Sequence, residues 1–270
     1  MKLWGVEQSR NSKPFTVSYR RPMFFRVLLT ECLKLKRTLA LWMVLVSPLV
    51  IVLIEFAVSA KGAHVAIQAG KDVWPPMVRT TIEAWTMLMM PMFVTLETSL
   101  LAGLENTGKN WKSLLALPAP RWTIYVSKLL ITVSLLWAAH AVLIVGTIGS
   151  GRLLKSVYPA LSLGSMPLNP FVVPMLRVSV SALLAVVIQH WVSLRWHSYT
   201  VAMGFGMCAM IMGIFAVQSK VLGPWFPWSL PIRAVLDGVS GQDRITAVAV
   251  VGAILTATIG CWGFVRREIG

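Results

Sequence analysis

The sequence of 270 residues is 56% apolar and only 13% charged, whereas a soluble globular domain has about a quarter of its residues charged. Its 25 Lys and Arg outnumber its 10 Asp and Glu, which gives a formal net charge of +15. This composition excludes a disordered chain, which would be poor in apolar residues, and a disulfide-stapled secreted module, because there are only three cysteines. It indicates a membrane protein with several spans.

Six segments have the roughly 20 mostly apolar residues that a helix needs to cross a bilayer. They are 39–59, 82–101, 129–148, 175–193, 199–218 and 245–265. We therefore predict an all-α integral membrane protein with six transmembrane helices. The loops between them are too short for a soluble core, so residues 22–270 are expected to form one membrane domain behind a basic tail at 1–21.

The basic residues are unevenly distributed along this predicted topology. Most of them precede the first span, separate the second from the third, or follow the sixth. The positive-inside rule then places both termini in the cytoplasm of a multi-pass protein of the cell (inner or plasma) membrane. The net charge is thereby explained as an orientation signal, and nucleic acid is not expected as a partner.

The segment 24–37, before the first span, has two distinct helical faces. One is apolar (Phe25, Leu28, Leu29 and Cys32), and the other is mostly basic (Arg26, Thr30, Lys34 and Arg37). This pattern predicts an amphipathic helix in the membrane interface. The alternative is that these residues are simply the first turns of the first span.

The loop after the second span combines apolar and basic residues. Residues 109–117 can form a short helix that Pro118 ends, with Trp111, Leu114 and Leu115 on one face. Such a helix suits docking into a partner's groove, and a loop lying on lipid is the alternative. The match of 103–110 to a phosphate-binding loop is rejected, because Asn110 stands where magnesium needs a hydroxyl and no strand precedes it.

Few residues within the spans suggest chemistry. No histidine or cysteine spacing fits a metal site, and the small residues at 149–151 are interpreted as a helix stop. His140 alone is close to mid-membrane, and a neutral, hydrogen-bonded histidine is favoured over a proton relay. The fifth span is rich in Met, and its Met203 and Met207 join His140 as candidate pathway residues. For the methionines, lipid-facing packing is the alternative.

The segment 223–238 contains three prolines and two tryptophans. These residues rule out one continuous helix and predict short, broken helices near the interface. Either a re-entrant element or an outer surface loop would fit.

At these segments the sequence resembles the permease subunits of type-2 ABC exporters. The closest subgroup is the small permeases of lantibiotic-immunity and bacitracin-type resistance systems. The resemblance rests on four short motifs over nearly the whole chain, namely ECLKLKR at 31–37 with Trp42 following, ENTGKNWK at 105–112 continuing through LPAPR at 117–121 to SK at 127–128, FPWSLP at 226–231 and FVRRE at 264–268.

The resemblance implies a connecting helix near the N-terminus and a coupling helix in the 105–117 loop. The connecting helix would contain Phe25, Leu28, Leu29, Glu31, Lys34 and Arg37. The coupling helix, which docks on the ATPase, would contain Glu105, Lys109, Trp111, Lys112, Leu114 and Leu115.

The resemblance further implies partners that carry the chemistry. A separate ABC ATPase subunit would bind ATP and magnesium, and this chain would hold no cofactor. A second permease subunit, identical or different, would complete the pathway in the lipid bilayer. The expected function is export of an amphipathic or peptide-like compound, as in antibiotic resistance or immunity. A non-transporting assembly or sensor subunit is the alternative, and an ion-coupled carrier is less favoured because repeats and mid-membrane carboxylates are missing.

Overall fold

The computed structural model describes residues 22–36, 38–107, 120–166, 168–196, 198–237 and 241–266. This part of the chain is helical, with connecting turns. Its helices are α1 (Met23–Lys34), α2 (Leu39–Ala69), α3 (Trp74–Ala84), a π-helical turn (Trp85–Met89), α4 (Met90–Thr107), α5 (Arg121–Val157), α6 (Leu168–Ser181), α7 (Leu183–Arg195), α8 (Tyr199–Ala216), α9 (Leu230–Leu236) and α10 (Gln242–Val265).

Five helical segments in the described ranges are long and apolar enough to cross a membrane. They are α2, the continuous run from α3 into α4, α5, α8 and α10. The pair α6 and α7 passes the same test as one unit bent by 43°, which makes up to six spans. The prediction of an all-α integral membrane protein is therefore confirmed.

Two helices are much longer than the apolar segments that predicted them. The helix α2 continues past residue 59 to Ala69, and α5 runs over 37 residues from Arg121 to Val157. At about 1.5 Å per residue both exceed a hydrocarbon core of about 30 Å. The expectation of a helix stop at 149–151 is wrong, because α5 continues through it. Hydropathy marks where a helix leaves lipid, and a helix continues as long as its backbone hydrogen bonds are made.

The fourth span begins earlier than predicted and is not straight. It was expected over 175–193, directly after Pro174, but α6 starts at Leu168 and contains Pro174 in its interior. The bend falls at Ala182, between α6 and α7. Pro170 and Pro174 hid this beginning, because proline is tolerated in the first turn of a helix and rarely in its interior.

The run from α3 to α4 is the most enclosed part of the bundle. Trp85 in the π-helical turn is fully buried, and Phe93 is 1% exposed. The helix α4 packs against α2, α5, α7 and α8, so most of its faces are covered by protein. By contrast, α2 and α10 expose large apolar side chains along their lengths, including Leu53 and Ile259, as expected for surfaces in contact with lipid.

The helices meet at two ends, which we call proximal and distal. At the proximal end α1 packs on the first turns of α5, and Arg121 at the start of α5 donates a hydrogen bond to the carbonyl of Val265 at the end of α10, at 3.2 Å. At the distal end the turn after α2 meets the 158–166 loop, where Gly164 N–H donates to Asp72 Oδ1 at 3.2 Å. Gly70, with φ of 59°, ends α2 there.

The proline-rich segment at 223–238 forms a compact distal element, as far as it is described. Turns lead from the end of α8 into the short helix α9, so the expectation of broken helices is confirmed. Ser229 fixes the entry to α9 because its hydroxyl contacts the carbonyls of Gly223 and Phe226, at 2.6 and 2.8 Å. Leu230 is fully buried, and α9 packs between α6, α3 and α10.

Candidate functional site at the proximal end

A buried ion pair joins α1 to the first turns of α5. Lys128 Nζ donates to Glu31 Oε2 at 2.5 Å, and Lys34 Nζ donates to Glu31 Oε1 at 2.7 Å. Glu31 is 5% exposed and Lys128 only 1%, whereas about a third of the Lys34 side chain reaches the surface. Each carboxylate oxygen of Glu31 thus has a cationic partner. A bond between two oppositely charged groups is among the stronger hydrogen bonds in proteins.

The ion pair depends on which face of α1 packs against the bundle. Glu31 and Leu35 are buried, whereas Phe25, Leu29 and Leu33 are 45–65% exposed. The apolar face predicted for this segment therefore points mostly away from the bundle. This is the arrangement of a helix that places apolar side chains in lipid and a carboxylate against the protein. Leu28 lies between the two faces, half-buried against the core.

Aromatic side chains join α5 to its neighbouring helices about one turn before Lys128. Tyr125 stacks edge-on against His190 of α7 at 5.0 Å between ring centroids, and it packs against Phe264 of α10 at 5.9 Å. His190 is 2% exposed and is close enough to Lys128 for the two to interact electrostatically. The start of α5 thus contacts α1, α7 and α10, so a displacement of this turn would also displace these three helices.

A second polar layer lies between α4, α7 and α8. The Ser193 hydroxyl donates to Thr98 Oγ1 at 3.2 Å, and Gln189 Nε2 donates to the carbonyl of Ala202 at 2.9 Å. Glu97 is fully buried beside them, and neither of its carboxylate oxygens has a hydrogen-bond partner among the described residues. A buried carboxyl group without a hydrogen-bond partner is costly to the fold.

The candidate pathway histidine is a link between two helices. Ser179 Oγ lies 2.8 Å from His140 Nδ1 and donates its own proton to the carbonyl of Met175, also at 2.8 Å. A hydrogen bond thus joins His140 Nδ1 to the Ser179 hydroxyl, and its direction is set by the tautomer of the imidazole. His140 Nε2 has no hydrogen-bond partner in the described ranges. The hydrogen bond to a neighbouring helix expected from the sequence is present.

The candidate methionines of the fifth span lie on α8. Met203 and Met207 are both half-buried, and Met207 packs against a cluster that contains Ala185 and Trp228. No contact among the described residues brings Met203 or Met207 to His140. A shared pathway of these three residues stays a prediction.

The predicted docking residues of the 105–117 loop fall outside the described residues. This applies to Lys109, Trp111, Lys112, Leu114 and Leu115, to the side chain of Glu105, and to Arg37 of the connecting segment. The segment's ends are described, however. The helix α4 reaches Thr107, and α5 begins at Arg121, seven residues before Lys128.

Sequence reasoning missed the partner of Glu31. Both Glu31 and Lys128 belonged to motifs singled out in the sequence, yet nothing in their spacing pairs residues 97 positions apart. The available signal was weak: Lys128 stands directly before an apolar span, at a depth where a lone charge is costly, and Glu31 interrupts an otherwise basic segment.

The fold defines a class, an all-helical membrane protein whose first helix is linked by charge to an internal span. Comparison with family models gives a match to the one described as "ABC-2 family transporter protein" over residues 27–217. A comparison with curated proteins gave no match.

Because the match covers well over half of the chain, this protein belongs to the ABC-2 transporter family. It is a permease subunit of an ABC transporter, a membrane component that associates with a separate ATPase subunit. The matched residues run from α1 to the end of α8, so α9 and α10 lie beyond them.

Proposed function

We propose that this permease exports an amphipathic or peptide-like compound, of the antibiotic or lantibiotic class, from the membrane or the cell. Two permease subunits, identical or different, enclose the pathway. The proximal end and both termini face the cytoplasm, in accord with the distribution of basic residues. ATP and magnesium bind to the partner ATPase, and this chain supplies the transmembrane path.

The ion pair between Glu31 and Lys128 is the observation on which the coupling mechanism depends. The 105–117 segment is the docking element for the ATPase, and it leads directly into α5 at Arg121. Lys128 lies about two turns further along α5. A displacement that reaches Arg121 is carried to Lys128 through continuous helix and is passed to α1 by the ion pair. Since α1 precedes the first span, the force acts on two spans together.

The mechanism proposed is a rocking of the two permease subunits. Closure of the ATPase dimer displaces the docking elements, and the first and third spans of each subunit follow. The substrate, held by apolar surface rather than by specific charges, leaves toward the distal end. The flexible side chains of Met203 and Met207 suit a lining that adapts to different substrates.

The docking role is tested with Trp111→Ala combined with Lys112→Glu. We expect the variant to lose association with the ATPase subunit and ATP-dependent transport, because it removes an apolar anchor and reverses a charge at the interface. Co-purification and transport into inside-out vesicles measure the two effects. Survival of both in the double variant contradicts the docking role.

A matched control lies at the distal end. Trp225 and Lys220 are both exposed, so Trp225→Ala with Lys220→Glu makes the same chemical changes far from the proposed interface. This control should keep ATPase association.

Substrate class is tested with the purified complex of permease and ATPase. Addition of an amphipathic peptide antibiotic should raise the rate of ATP hydrolysis, and a hydrophilic peptide of equal length should not. Equal rates with both peptides contradict the substrate proposal, and ATP-driven release into the lumen of right-side-out vesicles contradicts the direction.

A further inference from the structure

The distal end contains a cleft of about 540 Å³ between α3, α6 and α9. Its walls are apolar side chains, including Val78, Ile82 and Val235, together with three prolines. Neither the family match nor the proposed transport mechanism assigns a role to this space. A cleft of this size accommodates a small ligand or one end of a larger one.

The prolines explain why the cleft is not filled by side chains. Pro75 stands in the first turn of α3, and Pro170 and Pro174 lie on α6. Their rings are short and fixed to the backbone, so they cannot extend into the space as a Leu or Met would. Pro174 also has no N–H to donate to the carbonyl of Pro170.

Three charged side chains line this cleft, and one of them is unpaired. Arg79 Nε donates to Glu83 Oε1 at 2.8 Å along one face of α3. Arg177 of α6 is half-buried, and its guanidinium forms no ion pair with any described residue. With two arginines and one glutamate, the cleft has a net positive charge.

The position of Arg177 makes an unpaired charge costly. It lies nine residues into α6, roughly 13 Å along the helix at about 1.5 Å per residue, and within a segment that can cross the membrane as part of a bent pair. Ionisable residues at such positions pair with another group or mark a binding site. Because no described carboxylate forms an ion pair with Arg177, its guanidinium is available to an acidic ligand in the cleft.

We propose that this cleft binds the acidic headgroup of a membrane amphiphile, with Arg177 as the anion-binding side chain. A guanidinium presents a planar fork of donors that matches a phosphate or a carboxylate. Val173 and Leu176, beside Arg177 on α6, are both exposed and apolar, and they provide a surface for an acyl chain. A soluble anion would gain nothing from that surface, and a cationic peptide would be repelled by Arg177.

Binding is tested on the full-length protein in a neutral detergent by a thermal shift with short-chain phosphatidylglycerol. Short-chain phosphatidylcholine, which has the same acyl chains and no net charge, is the reference lipid. We expect stabilisation by phosphatidylglycerol that is absent or much weaker with phosphatidylcholine. Equal stabilisation by the two lipids would overturn the proposal.

Two variants with opposite expected effects on the affinity for phosphatidylglycerol separate binding from a general loss of structure. Arg177→Gln should weaken the apparent affinity for phosphatidylglycerol about tenfold, the effect of losing one charge-assisted bond. Glu83→Gln should strengthen it, because this change frees Arg79 and removes the one acid among the described residues that line the cleft. Arg152→Gln is the matched control, since Arg152 is an exposed arginine of α5 away from the cleft. If Arg177→Gln and Arg152→Gln behave alike, or Glu83→Gln weakens binding, the proposal is wrong.

The acidic amphiphile is either a resident lipid or a transported compound, and a second arm distinguishes them. Fluorescent phosphatidylglycerol is followed in proteoliposomes that contain the permease with its ATPase subunit. Movement that requires ATP and is lost in Arg177→Gln identifies a transported compound. Arg177-dependent binding without ATP-dependent movement identifies a resident lipid. Binding in detergent is measured without the ATPase, so failure of the transport proposal leaves this inference standing.

Discussion

The two ends of the bundle treat a basic residue within a span in opposite ways. At the proximal end Lys128 is 1% exposed and is neutralised by Glu31 at 2.5 Å. At the distal end Arg177 is half-buried beside an open cleft and has no acidic partner among the described residues. A charge inside a membrane protein must be compensated. One end contains its compensation and is suited to transmit force, whereas the other leaves a place for a ligand.

The difference also lies in how space is filled. Near the proximal pair, ring contacts join Tyr125 of α5 to His190 and Phe264, so the helices at this end are packed together. The distal charges adjoin prolines, whose short rings leave a gap. A basic side chain is thus paired within packed helices at one end and stands beside open space at the other.

The largest effect is expected from breaking the proximal pair on one side. Lys128→Met leaves Glu31 buried next to a single, partly exposed cation, and removal of one partner from a buried pair costs about 3–5 kcal/mol. The thermal midpoint in detergent should fall sharply. Lys34→Met is the matched control and should cost no more than about 1 kcal/mol, because Lys34 is partly exposed.

The same site allows a rescue experiment. Glu31→Leu together with Lys128→Met replaces the pair by apolar side chains, which is often neutral or stabilising. The double variant should recover most of the lost stability. If Lys128→Met and Lys34→Met have equal effects, or the double variant is less stable than Lys128→Met alone, the ion pair is not the link between α1 and α5.

A smaller effect is expected where the distal end is tightly packed, next to the cleft. A Cβ at Gly151 of α5 would lie 2.6 Å from Cζ3 of Trp74, whose side chain is 3% exposed. Gly151→Ala should therefore cost about 1–3 kcal/mol through overpacking, measured as a lower thermal midpoint. Gly149→Ala is the control on the same helix, since its Cβ would meet no atom within 4 Å. Similar midpoints for the two variants would mean that the distal end is loose throughout.

The smallest effect is expected between the two ends, at the bond from His140 to Ser179. Ser179→Ala leaves His140 Nδ1 without its hydrogen-bond partner, and an unmade buried hydrogen bond of this kind costs about 1 kcal/mol or somewhat more. Ser134→Ala, which removes an exposed hydroxyl from α5, should change the midpoint by less. A stable Ser179→Ala variant that loses transport would instead favour His140 as a pathway residue.

The sequence predicted which segments form helices better than it predicted where each helix begins and ends. Apolar runs located every span, and the two-faced pattern at 24–37 located α1, at Met23–Lys34, to within one residue at its start and three at its end. The ends of α2 and α5 were misplaced because polar residues such as His64 and Lys155 interrupt the hydropathy signal but not the backbone hydrogen bonds. The start of α6 was misplaced because Pro174 was expected to precede the helix. The bend at Ala182 had no sequence signal of its own.

By itself, the sequence determined that the chain is a helical membrane protein and where its spans lie, because the apolar length needed to cross a bilayer is a local property. The family motifs likewise lie in short stretches. Only the tertiary structure decided that Glu31 meets Lys128, 97 positions away, and that Arg177 meets no acid among the described residues. The reason is physical: whether a charge is compensated depends on which helices pack together, and that is decided by the whole bundle.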